Sequence, residues 1–369
     1  MEPKEANQND SALRVNDGIP QPPAISEESV QRFKSIRRQR LSVDEYVDGI
    51  LRGDRTILSR AITLVESNLP AHHLLAQEII QRCLPLSGNS FRIGITGVPG
   101  VGKSSFIETL GMHVVEQGHK LAVLAIDPSS ERTKGSILGD KTRMENLSSH
   151  PQAFIRPSPS AGSLGGVARK TREAIYLCEA AGYDIIFVET VGVGQSETTV
   201  HSMVDFFLLL ALAGAGDELQ GIKRGIMEMA DAIVITKADG DNVNRALRAK
   251  TELQNALHFF PPSPSGWRPL VQTCSAHLKQ GIDEIWQMIE DFQQQVQANG
   301  YFDLNRRQQA KFWIHQTLQE MLTHSLYQHH EIIKLIEKLE QEVLQGNITS
   351  FEAAQRLFDQ YSKLITRKD

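Results

Sequence analysis

One stretch, Gly97 to Ser105, constrains the fold of this chain more than any other feature. Its sequence, GVPGVGKSS, fits the pattern G-x-x-x-x-G-K-[ST] and follows an apolar run predicted as a strand. Glycines let successive backbone N–H groups point at the α and β phosphates of a nucleotide, beside a helix N-terminus. A glycine-rich turn without a ligand is the alternative, and the complete match in a strand–loop–helix context favours nucleotide binding. The predicted phosphate-binding residues are Gly97, Val98, Pro99, Gly100, Val101, Gly102, Lys103, Ser104 and Ser105.

Composition places the chain among ordinary globular proteins. Its 369 residues are 40% hydrophobic and 22% charged, and the net charge of −5 does not favour a nucleic-acid groove. Three cysteines, Cys83, Cys178 and Cys274, show no C-x-x-C spacing and are predicted to be reduced thiols. The first residues are polar and acidic, and the most apolar run is too short to span a bilayer. We therefore expect a cytoplasmic protein without a membrane partner.

The chain divides into four predicted segments. Residues 1–25 are predicted to be a disordered tail, 26–88 a helical extension, 89–300 a nucleotide-binding domain and 301–369 a helical arm. Strands alternate with helices in the third segment, which predicts an α/β fold with a mostly parallel sheet and helices on both faces. The predicted strands are 91–96, 121–126, 153–156, 184–189, 206–212, 232–236 and 270–274. The predicted helices are 103–117, 165–181, 222–230, 242–258 and 280–297.

The last segment is predicted to contain two helices, 304–345 and 350–366. Ile332, Ile336, Leu339 and Val343 repeat at a 4-3-4 spacing that suits helix–helix packing. The stripe is expected to form a dimer contact, and packing against the chain's own core is the alternative.

Acidic residues follow two of the predicted strands. Asp127 ends the strand 121–126 and begins a polar, glycine-containing stretch that includes Asp140. This stretch suits a switch loop ordered by the γ-phosphate and Mg²⁺, and an exposed loop acid is the alternative for Asp140. Glu189 ends the strand 184–189, where an acid holds Mg²⁺ through a water. Val193 directly follows Gly192, at the place where Ras-like proteins carry the water-positioning Gln, and Gln195 lies two residues on, so slow intrinsic hydrolysis is expected.

Two further motifs indicate a guanine site. The sixth predicted strand ends at Thr236, and a loop with Lys237 and Asp239 follows it. The Asp239 carboxylate would accept hydrogen bonds from guanine N1–H and N2–H₂, a pair of donors that adenine does not offer. The Lys237 stem would cover the base. Thr236 replaces the usual Asn, which weakens the guanine prediction slightly. Backbone N–H groups after the last strand would face guanine O6, at Ser275, Ala276 and His277.

At this point the sequence resembles the MeaB/ArgK/MMAA family. The segments that carry the resemblance are GITGVPG from Gly94, DPSS from Asp127, GSILGDKTRM from Gly135 and ETVGVGQSE from Glu189, and the similarity covers about residues 26–366. Members are G-protein chaperones of adenosylcobalamin-dependent acyl-CoA mutases, above all methylmalonyl-CoA mutase. The resemblance implies a homodimeric P-loop GTPase with bound GTP or GDP. Its implied Mg²⁺ and switch residues are Ser104, Asp127, Asp140 and Glu189, with Lys103 stabilising phosphate charge.

The resemblance also implies a second switch that reports the nucleotide state to the mutase. The segment GAGDELQGIK from Gly214 matches it and contains Asp217, Gln220 and Lys223, with Gln195 in the preceding switch. From its residues alone this segment is a flexible acidic loop.

Two other functions stay open from the sequence. A kinase linked to amino-acid transport would require a preference for ATP, against which Asp239 argues. A nickel-insertion GTPase would need a metal-binding cluster. The adjacent pairs His72–His73 and His329–His330 are better explained as surface histidines, because neighbours on a helix point apart.

Overall fold

A parallel sheet organises the part of the chain that the computed structural model describes, residues 41–126, 144–158, 164–190, 196–213 and 224–366. Its strands pair in the order β3-β2-β4-β1-β5-β6-β7, every pair parallel. The predicted α/β class is confirmed, and each predicted strand lies within two residues of its observed bounds. The strands are β1 (Phe91–Gly97), β2 (Leu121–Ile126), β3 (Ala153–Ser158), β4 (Ile185–Thr190), β5 (Phe206–Leu212), β6 (Ala232–Thr236) and β7 (Leu270–Thr273).

Helices lie between these strands along the chain, and further helices precede β1 and follow β7. Two short helices, Glu145–Ser149 and Ser196–His201, were not predicted, because five or six residues are too few to show a helical period. The α-helices of the described residues are α1 (Val43–Leu51), α2 (Arg55–Glu66), α3 (Pro70–Cys83), α4 (Lys103–Glu116), α5 (Glu145–Ser149), α6 (Leu164–Ala180), α7 (Ser196–His201), α8 (Arg224–Met229), α9 (Val243–Leu257), α10 (Ile282–Ala298), α11 (Tyr301–Tyr327), α12 (His330–Leu344) and α13 (Ser350–Thr366).

Alternate residues of the central strands belong to different halves of the core. Leu208 and Leu210 of β5 pack in a cluster with Phe106 of α4 and Phe292 of α10. Leu209 lies in a second cluster, which includes residues of α8, β6 and α9. Because side chains alternate between the two faces of a strand, helices cover both faces of the sheet, as predicted.

Local sequence signals mark the starts of two helices in the helical extension. The Asp54 carboxylate accepts hydrogen bonds from the backbone N–H groups of Thr56 and Ile57, at 2.8 and 3.1 Å, and so caps α2. Pro70 is the first residue of α3, where its missing N–H is tolerated. Helix α2 packs on α6, and Arg156 of β3 forms an ion pair with Glu66.

The prediction of one long helix over 304–345 is wrong. Helix α11 ends at Tyr327, His329 has an extended backbone, and α12 begins at His330. Neither Gly nor Pro marks this break, so the sequence carried no stop signal.

The apolar stripe on α12 also packs differently from the expectation. Ile332 and Leu339 are buried, α12 packs on α13, and the Tyr361 hydroxyl of α13 donates to Ser325 of α11 at 2.7 Å. The interpretation of these two residues as dimer contacts is therefore wrong, because the chain covers them itself. Within the described residues, no helix has the length and apolar character needed to cross a membrane.

Candidate nucleotide-binding site

The loop between β1 and α4 has the backbone conformation that the phosphate-binding motif predicts. Gly97, Gly100 and Gly102 have φ angles of 154°, 80° and 96°, which favour glycine. A Cβ atom at Gly97 would lie 2.6 Å from the Leu210 carbonyl oxygen, so no other residue fits there without a shift of the backbone. Lys103 Nζ donates to the carbonyl oxygen of Gly97 at 2.7 Å, which holds the ammonium group across the loop. The loop thus joins a strand to a helix N-terminus around a fixed positive charge.

Strand β4 places Glu189 next to this loop. Glu189 pairs in register with Ile95 of β1, two residues before Gly97, and its side chain is buried. The neighbouring Thr190 hydroxyl donates to the Thr96 hydroxyl at 2.8 Å and ties the carboxyl ends of the two strands together. Ser104 lies in the first turn of α4. Mg²⁺ prefers hydroxyl and carboxylate oxygens as ligands, so Ser104 at the start of α4 and Glu189 near the end of β4 have the donor chemistry of the predicted metal site.

The loop after β6, which is predicted to recognise the base and is called the base loop below, is bonded directly to the predicted phosphate loop. The buried Thr236 hydroxyl donates to the Val101 carbonyl oxygen at 2.7 Å, and it lies 3.3 Å from the Ala211 carbonyl oxygen. Lys237 adopts a φ of 55°, and its Nζ donates to the Gly100 carbonyl oxygen at 2.8 Å. These two bonds hold the base loop against the phosphate loop. Thr236 thus makes the loop-to-loop contact with one hydroxyl.

The loop after β7 holds the side chain of Asp239. The Ser275 hydroxyl donates to Asp239 Oδ2 at 2.5 Å, and the same oxygen of Ser275 accepts from the Leu278 N–H at 3.1 Å. The Ala238 N–H donates to the Cys274 carbonyl oxygen at 2.9 Å, so the backbones of the two loops are joined as well. The predicted residues Asp239, Ser275 and Ala276 are therefore brought together, and His277 follows them at the exposed end of the turn.

Two residues of this region escaped sequence reasoning. Asn242 donates its side-chain amide to the Lys237 carbonyl oxygen at 2.7 Å, which supports the left-handed turn at Lys237. The Thr109 hydroxyl of α4 lies 3.1 Å from the Ala276 carbonyl oxygen, 167 positions along the chain. Neither contact has a sequence signal, because neither belongs to a short motif.

Among the described residues, Cys274 is the thiol next to this site, and its burial makes it unreactive. Burial raises the pKa of Cys274 to about 12, so the thiolate is a minor form at neutral pH. Cys83 and Cys178 are also buried and free, as the sequence predicted.

Several predicted residues lie outside the described residues. These are Asp127 and Asp140 of the first switch, Gln195 of the glycine-rich switch after Glu189, and Asp217, Gln220 and Lys223 of the segment matched to the switch that reports to the mutase. Among the side chains that are described, no group of three His, Cys, Asp or Glu residues has the geometry to hold a metal ion.

The family model and the similar proteins agree on one family. The model of the family described as methylmalonyl Co-A mutase-associated GTPase MeaB matches residues 58–331. The Escherichia coli protein named GTPase ArgK is 50% identical over 281 residues, which cover 76% of this chain and 85% of that protein. The mouse protein named methylmalonic aciduria type A homolog, mitochondrial, is 47% identical over 333 residues, 88% of this chain and 80% of the relative. A solved structure titled LAO/AO transport system kinase superposes with a TM-score of 0.70 at 38% identity, covering 88% of this chain and 97% of that one.

Proposed function

This chain belongs to the MeaB family of methylmalonyl Co-A mutase-associated GTPases, and from that premise we propose that it is a Mg²⁺-dependent GTPase chaperone of an adenosylcobalamin-dependent acyl-CoA mutase. It gates the loading of the cofactor onto the mutase and protects or reactivates that enzyme. Methylmalonyl-CoA mutase is the proposed client. The match of residues 58–331 to a family described by that association carries this assignment.

The geometry of the base loop supports GTP as the nucleotide. Asp239 accepts a hydrogen bond from Ser275 on one carboxylate oxygen, which orients the carboxyl group for two further hydrogen bonds from guanine. Adenine offers no matching pair of donors, so ATP would leave the carboxylate unpaired in the site. Lys237 covers the base and is anchored to Gly100 of the phosphate loop.

The phosphate loop supports hydrolysis by positioning and charge neutralisation. Lys103 and the backbone N–H groups of the loop stabilise the negative charge on the transferred phosphoryl group. Ser104, Asp127, Asp140 and Glu189 are the proposed residues that hold Mg²⁺, which supplies further charge neutralisation when bound. Val193 stands where Ras-like proteins carry their catalytic Gln, so we propose a slow intrinsic rate that the partner increases.

A nucleotide-dependent affinity for the mutase follows from this proposal. Asp217, Gln220 and Lys223 are the proposed contacts, with Gln195 in the preceding switch. A loop that adopts different conformations with GTP and GDP can be read by a partner only as a difference in binding free energy.

The nucleotide part is tested by an exchange of base specificity. Xanthine carries a carbonyl oxygen where guanine has its N2 amino group, so an amide at position 239 complements xanthine and a carboxylate does not. We expect Asp239→Asn to lose at least tenfold in GDP affinity and to gain similarly for XDP, measured by calorimetry with Mg²⁺. Ser275→Ala is the matched variant, which should weaken GDP without a gain for XDP. Tighter binding of ADP than GDP by the wild type would contradict the proposal and favour the kinase alternative.

The chaperone part is tested with purified mutases. We expect a complex with methylmalonyl-CoA mutase whose dissociation constant differs at least tenfold between GDP and a non-hydrolysable GTP analogue. Isobutyryl-CoA mutase, offered in parallel, tests the choice of client. Equal affinity in both nucleotide states would contradict a nucleotide-gated chaperone, whatever the outcome at Asp239.

A homodimer is proposed as the working assembly. Helix α11 exposes a row of apolar side chains on the face directed away from the core, each more than half exposed in this chain. Such a row is unusual on a protein surface unless another surface covers it. Its members are Ile314, Leu318, Met321 and Leu322.

A further inference from the structure

We propose that Thr109 is a positioning residue for guanine recognition, which acts through the loop that follows β7. The inference rests on the proposed guanine site and deepens it. Thr109 belongs to α4, the helix that begins at the phosphate loop, and lies one and a half turns after Lys103.

The Thr109 hydroxyl has two acceptors within reach and one proton. Its Oγ1 lies 2.9 Å from the Ser105 carbonyl oxygen and 3.1 Å from the Ala276 carbonyl oxygen. The Ser105 carbonyl already accepts the helical hydrogen bond from the backbone N–H of Thr109. That carbonyl oxygen has a second lone pair, so the hydroxyl proton can reach either acceptor, and the proposed role requires that it is used on Ala276.

This contact fixes a peptide plane inside the predicted guanine-binding loop. A peptide unit is planar, so a bond to the Ala276 carbonyl oxygen also sets the direction of the His277 N–H in the same unit. The preceding residue, Ser275, donates to Asp239 and is joined to Gln280 by two backbone hydrogen bonds of 3.0 Å. The start of the turn that presents N–H groups to guanine O6 is thus held at two consecutive residues, at Ser275 by Asp239 and at Ala276 by Thr109.

Comparable threonines show what is special about this position. Thr251 of α9 and Thr323 of α11 make the same bond to the carbonyl oxygen four residues earlier, at 3.1 and 2.8 Å. That bond is an ordinary feature of threonine in helices. Only the contact of Thr109 with Ala276 links the helix to a loop 167 positions away. Thr251 therefore provides a matched control.

The test measures which atom of the base loses its binding when the hydroxyl is removed. Three full-length variants, Thr109→Val, Thr109→Ser and Thr251→Val, are titrated calorimetrically with GDP, IDP and 6-thio-GDP in the presence of Mg²⁺. IDP lacks the N2 amino group that Asp239 reads, and 6-thio-GDP carries a sulfur, a weaker acceptor, in place of O6.

We expect Thr109→Val to weaken GDP and IDP binding by the same factor, about fivefold, which is the effect of one neutral hydrogen bond. Its affinity for 6-thio-GDP should change less than twofold, because the contact that the hydroxyl positions is already weakened in that ligand. Thr109→Ser should restore wild-type values, and Thr251→Val should leave all three affinities unchanged.

Other outcomes overturn the inference in distinguishable ways. Equal losses for GDP and 6-thio-GDP would assign Thr109 a general structural role, and unchanged GDP affinity would assign it none. If wild-type protein binds IDP as tightly as GDP, the reading of the N2 amino group proposed at Asp239 fails, while the comparison of GDP with 6-thio-GDP still tests Thr109, because IDP and GDP share O6.

Discussion

Three aspartates precede parallel strands and each binds the backbone of a neighbouring strand. Asp184 accepts from the Lys120 N–H at 2.7 Å, Asp205 from Arg92 at 2.8 Å and Asp231 from Phe207 at 2.8 Å. Asp205 also forms an ion pair with Arg306 of α11. Asp231 forms no ion pair with a described residue, and burial raises its pKa to about 7, although the bond from Phe207 opposes that shift.

The raised pKa of Asp231 predicts a dependence of stability on pH. Between the ordinary pKa of 3.8 and about 7, the folded protein keeps this proton while the unfolded chain releases it. The contribution of Asp231 to folding stability is therefore highest below that range, and it is lost as the pH rises to about 7. Asp231→Asn keeps an acceptor for the Phe207 N–H. We expect its free energy of unfolding relative to that of the wild type to be about 2 kcal/mol higher at pH 8 than at pH 5, allowing for solvent screening.

Urea unfolding of both proteins at these two pH values measures that difference. Asp291→Asn is the control, because this carboxylate is exposed on α10 and contacts the neutral side-chain amide of Gln287, at 3.1 Å. Parallel pH profiles for wild type and Asp231→Asn would contradict the prediction.

At the residue scale, the sequence predicted the residues proposed to face the nucleotide and missed residues whose hydrogen bonds hold the loops around them. Lys103, Asp239 and Ser275 were predicted because each belongs to a short motif with a fixed chemical task. Thr236 was interpreted as a weak departure from Asn, whereas its hydroxyl bonds the phosphate loop at Val101. Thr109 and Asn242 were missed, because their partners depend on how distant loops meet in the folded protein.

At the scale of elements, Gly111 in α4 is an exception to the usual effect of glycine inside a helix. An alanine in place of a mid-helix glycine usually stabilises a protein by about 0.5–1 kcal/mol. A Cβ atom at Gly111 would lie 2.6 Å from Leu147 Cδ2 and 2.9 Å from Leu121 Cδ2, and both leucines are fully buried. The close approach of α4 to α5 and β2 therefore requires glycine.

We expect Gly111→Ala to lower the free energy of unfolding by about 1–2 kcal/mol, because the buried leucines have little room to move. Urea denaturation measures this change. The matched control is Gly225→Ala in α8, where a Cβ atom meets no described residue within 4 Å and the substitution should be neutral or stabilising. A stabilised Gly111→Ala variant would show that α4 can move away from its neighbours.

The accuracy of the element predictions followed the strength of the local pattern. Buried parallel strands are continuous apolar runs, so all the described strands were found. The break at Gln328 and His329 was missed because the residues there continue a helical pattern. Ile332 and Leu339 of the stripe on α12 were assigned to the wrong surface, because periodicity shows that a helix has an apolar face and does not show what covers it.

At the scale of the whole molecule, α11 is fixed to the core along one face. Its Gln309 side chain donates to the Val204 carbonyl oxygen at 2.6 Å, and the Trp313 indole donates to the Ser202 carbonyl oxygen at 3.1 Å. Arg306, one turn earlier, is paired with Asp205. Because this face is committed to the core, the apolar row that includes Ile314, Leu318 and Leu322 faces away from it.

That arrangement gives the proposed homodimer a specific test. Two glutamates on the exposed row, in the double variant Leu318→Glu and Leu322→Glu, would place charges in an apolar interface without partners. We expect the dimer dissociation constant to rise at least tenfold in analytical ultracentrifugation, with GDP affinity unchanged, because the nucleotide-binding loops lie in other elements. Gln319→Glu adds a charge about a quarter of a turn from Leu318 and should leave the dimer intact. A wild-type monomer, or a double variant that dimerises normally, would place the interface elsewhere or remove it, while the guanine and mutase tests would keep their meaning.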